Sequence, residues 1–347
     1  MAPDSDDGVP RPARSELTIA DVARLAGVSV PTVSKVVNGR PEVGAETRAH
    51  VERVIHENGY RRLRRSPKAG TALELVFHDL AGLYPIEIMK GVERIAGEHN
   101  LGVMVSDSQG RHTPGRVWMD RVLARPPVGV IAVFSELSRE QRAQLSARGI
   151  ALIVVDPAGA LDDDIPSVGT TNWLGGLSAT RHLIERGHRR IAAITGPPWA
   201  LSSRARLDGY RTALDTAGIP VDPALIREGA FEIADGLAHA TDLLGLADPP
   251  SAIFALNDNM AVGVYQAASL AGRRIPDDLS VVGFDDYPVD QWLAPPLTTV
   301  HQPLAEMGAA AARIVVKLAQ GERPEASRLE LSTSLVVRAS TGPPATQ

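Results

Sequence analysis

The stretch from Leu17 to Tyr60, LTIADVARLAGVSVPTVSKVVNGRPEVGAETRAHVERVIHENGY, admits few folds. Thr18 followed by Asp21 has the spacing of a capping box, which supplies partners to free N–H groups at a helix start. Ile19, Val22 and Ala23 share one helical face, and Ala26-Gly27-Val28 then breaks the helix at a glycine that tolerates positive φ. Ser29 is placed to cap a second short helix, with Pro31 in a first turn where a missing N–H costs little. Val33, Val36 and Val37 are spaced to pack this helix on the first, and Val51, Val54 and Ile55 bring a third to the same small core. Asn58-Gly59 ends that third helix. Two short helices around a tight turn, braced by a third, form a helix-turn-helix, whose second helix enters the DNA major groove.

Charge supports this reading once it is divided along the chain. The net charge is −5, yet residues 16–68 carry ten Lys/Arg against six Asp/Glu. A basic head on an acidic body is the asymmetry expected when one end meets phosphates. Residues 1–15 are polar and Pro-rich and are expected to form a disordered arm. They contain no apolar core of a signal peptide, and no run of the chain reaches membrane-spanning length. Absence of cysteine excludes disulfides and thiolate metal sites and suits a reducing cytoplasm, the expected location.

Beyond residue 72 apolar runs alternate with helical segments. Strands are expected at 73–77, 102–106, 129–134, 151–156 and 167–169, and again at 190–195, 225–229, 251–256, 279–284 and 298–300. Helices are expected at 86–98, 173–186, 203–217, 234–245, 258–271 and 303–319. Continuously apolar strands joined by helical crossovers indicate parallel sheets covered on both faces. Two such series predict an α/β core of two doubly wound parallel-sheet subdomains with a cleft between them. Ligands in such sheets bind at the carboxyl ends of strands.

The strings DVARLAGVSVPTVSKVVNG and TRAHVERVIHENGY resemble the N-terminal headpiece of the lactose-repressor (LacI/GalR) family of bacterial transcription regulators. RGHRRIAAITGP, SRARLDGYRTAL, PSAIFALNDNMAVGVYQA, IPDDLSVVGFDDYP and PPLTTVHQPLAEMGAAA resemble that family's effector-binding core, which is periplasmic-binding-protein-like. The resemblance runs from Leu17 to about Arg338. It implies three crossings between the subdomains. The expected organisation is an arm over 1–15, the helix-turn-helix over 16–60, a basic linker over 61–72 and a core over 73–347. Within the core the first subdomain spans about 73–170 and 303–325, and the second about 173–300 and 328–340.

The resemblance also implies partners: a double-stranded, pseudo-palindromic operator held by a homodimer, and a small-molecule effector in the cleft, a mono- or oligosaccharide. Val30, Pro31, Thr32 and Lys35 are expected to face base edges, with Thr18 also at the DNA. Ser29, Ser34, Asn38 and the linker residues Arg61, Arg62, Arg64 and Arg65 are expected to hold phosphates. The linker departs from the family pattern. It is shorter, with Pro67 and Gly70 where a hinge helix would run, and lacks the apolar residue that would wedge into the minor groove.

A sugar offers hydroxyls and an apolar ring face, so its site needs carboxylates, amides, arginine and an aromatic platform. Asp79, Asp156, Asn257, Asp258 and Asp285 stand at strand ends, although an Asp there also serves as a cap or turn residue. The resemblance adds Tyr84 and Arg204, and Asn172, Trp173 and Gln302 fall at the crossings. His78, Trp199 and Trp292 are assigned to packing or the rim. His182 and His188 flank a helix end, where a cation complements the dipole.

No enzymatic constellation appears: no G-x-G-x-x-G after a strand, phosphate loop, H-E-x-x-H or G-x-S-x-G. No cofactor, metal or membrane partner is expected. The expected function is a sequence-specific regulator, a repressor released or modulated by its effector. The alternatives are a sugar-binding transport-type protein with no role on DNA, and a corepressor-dependent regulator or activator.

Overall fold

The computed structural model describes residues 19–37, 43–57, 70–159, 165–322, 324 and 326–345. The chain divides into two units, Met1–Lys68 and Ala69–Gln347. In the first, α1 (Ile19–Leu25), α2 (Val30–Val37) and α3 (Ala45–Glu57) close over Val22, Ala23, Ala26, Val33, Val36, Val51 and Val54. Gly27 takes φ +63° at the turn, as the sequence requires of a residue there.

The second unit begins with β1 (Ala72–Phe77), α4 (Tyr84–Glu98), β2 (Gly102–Asp107), α5 (Arg116–Ala124), β3 (Gly129–Val133), α6 (Arg139–Arg148), β4 (Ala151–Val155) and β5 (Ser167–Thr170). The second subdomain follows with α7 (Asn172–Glu185), β6 (Ile191–Thr195), α8 (Leu201–Thr216), β7 (Ile226–Glu228), α9 (Ile233–Leu244), β8 (Ala252–Ala255), α10 (Asp258–Leu270), β9 (Ser280–Asp285) and β10 (Thr298–His301). Then α11 (Leu304–Ala319) and β11 (Arg328–Leu331) return to the first subdomain, and β12 (Ser334–Val336) ends in the second.

Each sheet has six strands, in the orders β11-β5-β4-β3-β1-β2 and β12-β10-β9-β8-β6-β7. In the first sheet Leu73, Leu75, Phe77, Ile131, Val133, Ile153 and Val155 face α4 and α11. Val76, Val130, Ala132 and Val154 face Trp118, Met119 and Leu145 on the other side. This two-residue alternation, apolar on both faces, is why the strands read as continuous apolar runs. Strand order reverses between β1 and β3, and between β6 and β8. Loops diverge at such switch points and leave a crevice.

Two expectations need correction. Residues 328–331 belong to the first subdomain, since β11 pairs in parallel with β5 and the third crossing comes only after Leu331. Its first three residues are exposed on an edge strand, so no apolar run marked its sheet. β12 joins β10 antiparallel, giving an otherwise parallel sheet one reversed edge. The three crossings are tied together. Thr170 donates its hydroxyl to Gln302 Oε1 at 2.7 Å, and Thr171 Oγ1 accepts the Thr333 amide at 2.9 Å.

His182 and His188 are also corrected. Both are buried, and neither acts as a cation for a helix dipole. His182 Nε2 lies 2.8 Å from Thr341 Oγ1, and His188 bridges Ser251, Ser280 and the Gly342 carbonyl at 2.8–3.0 Å. Burial pulls both imidazoles below their usual value of 6.5. The folded state therefore binds fewer protons than the unfolded chain, and this stability is present above 6.5 and lost as pH falls through the folded values. Melting temperature is expected to fall on acidification below 6.5, and less steeply in His188→Asn, as measured by circular dichroism across pH.

Candidate functional site

On the helix-turn-helix unit, α2 turns Val33 and Val36 inward, which leaves Ser29, Val30, Pro31 and Lys35 exposed and Thr32 and Ser34 half-buried. Ser29 caps the helix: its hydroxyl accepts the Thr32 amide at 3.3 Å and lies 2.8 Å from the Thr32 hydroxyl. Asp21 pairs with Arg24 at 2.6 Å. Thr18, Asn38, Arg61, Arg62, Arg64 and Arg65 lie outside the described residues.

In the core a cavity of about 240 Å³ opens at the two switch points. It lies below the roughly 300–1,000 Å³ of sites for drug-sized molecules and suits a small ligand. Asp79, Asp156, Asn257 and Asp285 line it, as their strand-end positions predict, and so does Tyr84 at the start of α4, the position the resemblance implies. His78, placed at the rim by the sequence, lines it as well.

Arg206 is the cavity's arginine. Arg204 is exposed, because two residues along a helix rotate a side chain by about 200°. Arg206 is 3% exposed, and every arm of its guanidinium is held. Nε donates to Asn172 Oδ1 at 2.8 Å, Nη1 to the Leu256 carbonyl at 2.7 Å and Nη2 to Gln302 Oε1 at 3.1 Å. Nη1 also stands 3.6 Å from Asp285, and the guanidinium carbon lies 3.7 Å over the Phe284 ring. Asn172 and Gln302 thus act from behind, fixing Arg206, and Gln302 Nε2 donates to Asp285 at 3.2 Å. A legible signal existed: Ser203, Arg206, Tyr210 and Ala213 form the buried stripe of α8, and a charge on such a stripe is costly unless used.

Two further residues fall elsewhere. Asp258 is 1% exposed and lies behind the cavity wall, where it accepts the Thr299 hydroxyl at 2.7 Å and the Asp286 amide at 2.6 Å. Trp173, 40% exposed, lies on a separate groove beside the crossings. The sequence reading did not include Phe134, Phe231, Glu232, Asn259 and Tyr287, which also line the cavity. Phe134 and Phe231 belong to an aromatic group that spans both subdomains. Trp199 lies 5.0 Å from Phe134 and 4.1 Å from His112, and Phe231 lies 6.2 Å from Phe134.

Burial sets the charge of the wall. It pushes Asp285 up to about 8 despite the opposing Arg206, and it also raises Asp156, again against Arg206. Tyr84 donates to Asp156 at 3.2 Å, and its own phenol is raised far above the usual range by burial. Near neutral pH the cavity therefore offers one fixed cation, an acid able to donate, and amide and carboxyl acceptors beside aromatic faces. These are the groups that bind hydroxyls and a ring.

Comparison with known proteins agrees with this arrangement. Residues 18–62 match the family described as "Bacterial regulatory proteins, lacI family", and residues 180–341 match a "Periplasmic binding protein-like domain". The ribose operon repressor of Escherichia coli (strain K12) is 33% identical over 327 residues, covering 93% of this chain and 99% of that one. A solved complex of the transcriptional regulator CelR with cellobiose is 34% identical at a TM-score of 0.70, covering 93% and 99%. The lac repressor dimer bound to operator and the anti-inducer ONPF is 29% identical at a TM-score of 0.66, covering 94% and 100%. A helix-turn-helix unit on a two-subdomain ligand-binding core defines a DNA-binding transcription regulator rather than an enzyme. The chain belongs to the lacI family of bacterial regulatory proteins.

Removing Arg206 would leave buried Asn172, Gln302 and Asp285 facing an empty space. Arg206→Ala is expected to lose about 3–5 kcal/mol of stability in urea denaturation, whereas Arg204→Ala should stay within about 0.5 kcal/mol. Equal losses would refute the assignment.

Proposed function

We propose that this chain acts in the cytoplasm as a homodimeric repressor whose affinity for a pseudo-palindromic operator is changed by a small sugar in the core cavity. The observation that carries this reading is the Arg206 hub. It joins the cavity wall at Asp285 to Gln302 on a crossing between subdomains, so a ligand that touches the wall acts on the hinge. The repressor logic is supported by the name of the ribose operon repressor, and the sugar by the cellobiose complex of CelR.

On the DNA side, Val30, Pro31, Thr32 and Lys35 face base edges in this reading. Ser29, Ser34, Asn38 and the linker arginines hold phosphates, with Thr18 also at the duplex. Exposed Val30 suits a thymine methyl, and Lys35 suits guanine O6 and N7. In the cavity, Asp79, Asp156, Asn257 and Asp285 take hydroxyls and Tyr84 lines the ring face. Effector and operator then compete through one equilibrium, with a coupling of about 1–3 kcal/mol that each exerts equally on the other.

The direct test is a thermal-shift screen of mono- and oligosaccharides, beginning with ribose and cellobiose, followed by operator binding by fluorescence anisotropy with and without each hit. A hit is expected to change operator affinity by roughly 5–150-fold. No hit, or a hit without effect on DNA, would refute the reading. Lys35→Ala is expected to lose about 1–3 kcal/mol of operator affinity and relax preference at one base position. Equal weakening on all duplexes would make Lys35 a phosphate contact.

A further inference from the structure

Beneath the cavity lies a carboxyl group that the ligand site does not use. Asp290, between β9 and β10, is fully buried, and neither of its carboxyl oxygens has a well-formed hydrogen bond among the described residues, the Tyr287 amide being the donor within reach. Its carboxyl lies within hydrogen-bonding reach of Asp258, at the start of α10. Asp258 is well supplied, by the Thr299 hydroxyl on one oxygen and the Asp286 amide on the other. Two carboxylates in contact cannot both ionise in a dry site, and a buried anion with so little hydrogen bonding and no cation is costly. One proton resolves both problems if it sits on Asp290, whose O–H then donates to the Asp258 carboxylate.

We infer that Asp290 is a positioning residue: a neutral acid whose proton bonds it to Asp258 and clamps the turn that carries Asp285 and Tyr287 into the cavity. The turn needs such a clamp, because Asp285 and Asp286 take φ of 125° and 64°, where residues with side chains rarely settle. The Asp290 amide donates to the Tyr287 carbonyl at 3.0 Å, and the Leu297 amide to the Asp290 carbonyl at 3.0 Å, so its backbone closes the same turn.

Among the described residues, the groups around the pair leave it without a cation. From α10 come Asp258 and Tyr265, whose hydroxyl donates to the Pro295 carbonyl. From the turn come Asp285, Asp286 and Tyr287. The nearby basic groups, Arg338 and His301, both engage Asp286. Burial, and then the Asp258 charge, pushes the Asp290 acid up to about 10. The step from turn to ligand rests on the cavity reading above, whereas the shared proton does not.

The test uses the full-length protein and Asp290→Asn, whose amide also donates to Asp258. In an infrared difference spectrum at neutral pH, wild type minus variant should show the C=O band of a protonated acid, shifted in D₂O. Loss of carboxylate bands instead would overturn the proposal. Because the folded state holds this proton more tightly than the unfolded chain, its contribution is full below the ordinary carboxylate range and is lost as pH rises towards 10. Wild-type melting temperature should therefore fall more steeply than that of Asp290→Asn on the alkaline side, and parallel curves would overturn the proposal. For the cavity step, ribose and cellobiose are the probes. Asp290→Asn should keep the wild-type dissociation constant, while Asp290→Leu, with no donor, should weaken it by roughly tenfold or more. Equal affinity in the Leu variant would overturn the positioning role. If neither sugar binds wild type, the cavity reading fails, and the infrared and pH results still decide the proton.

Discussion

The core depends on a buried cation at its hinge, Arg206. Taking a guanidinium out of water carries a desolvation penalty of several kcal/mol, so it persists only where its donors are met. Arg206 meets that condition with Asn172 from the start of α7, Gln302 from the second crossing, the Leu256 carbonyl at the end of β8, Asp285 at the end of β9 and the Phe284 ring. These partners come from four different segments, Phe284 and Asp285 both belonging to β9. The hub therefore holds the α7–α8 packing, the crossing and the cavity wall in one geometry. The helices beneath it approach closely enough that a Cβ at Gly176 would strike the Arg206 backbone, which fixes where the arginine emerges.

From this hub follows the electrostatics of the wall. Burial raises Asp156 and Asp285, and Arg206 opposes that rise at both. A ligand hydroxyl can then receive or give a proton in hydrogen bonds without an uncompensated charge entering the cleft. The same low-dielectric setting makes an unpaired group expensive, which is why Asn172 and Gln302 are fully engaged rather than offered to the ligand.

Much of this was legible in the sequence, for identifiable reasons. The two strand series follow from apolar runs buried on both faces, and Asp79, Asp156, Asn257 and Asp285 follow from the rule that strand ends form the cleft. The helix-turn-helix follows from local caps, a turn glycine and valine spacing. α6 went unseen because Arg139–Arg148 is almost wholly polar, with Leu145 alone buried. β11 was assigned to the wrong subdomain because an exposed edge strand has no apolar alternation to show which sheet it joins.

The pattern of apolar residues by itself determined the elements, their order and which strand ends carry chemistry, because burial against water is a property of each segment. Tertiary structure decided which of those groups reach the ligand. Arg204 and Arg206 differ by a helical rotation that only the packing of α7 on α8 orients. Asp285 ends β9 and Asp258 opens α10 shortly after β8, yet Asp258 is held behind the wall by Thr299 and Asp286, far from it in the chain. Side-chain direction at a site is set by long-range contacts, and these come into existence only when each subdomain closes around its own core and the crossings join the two.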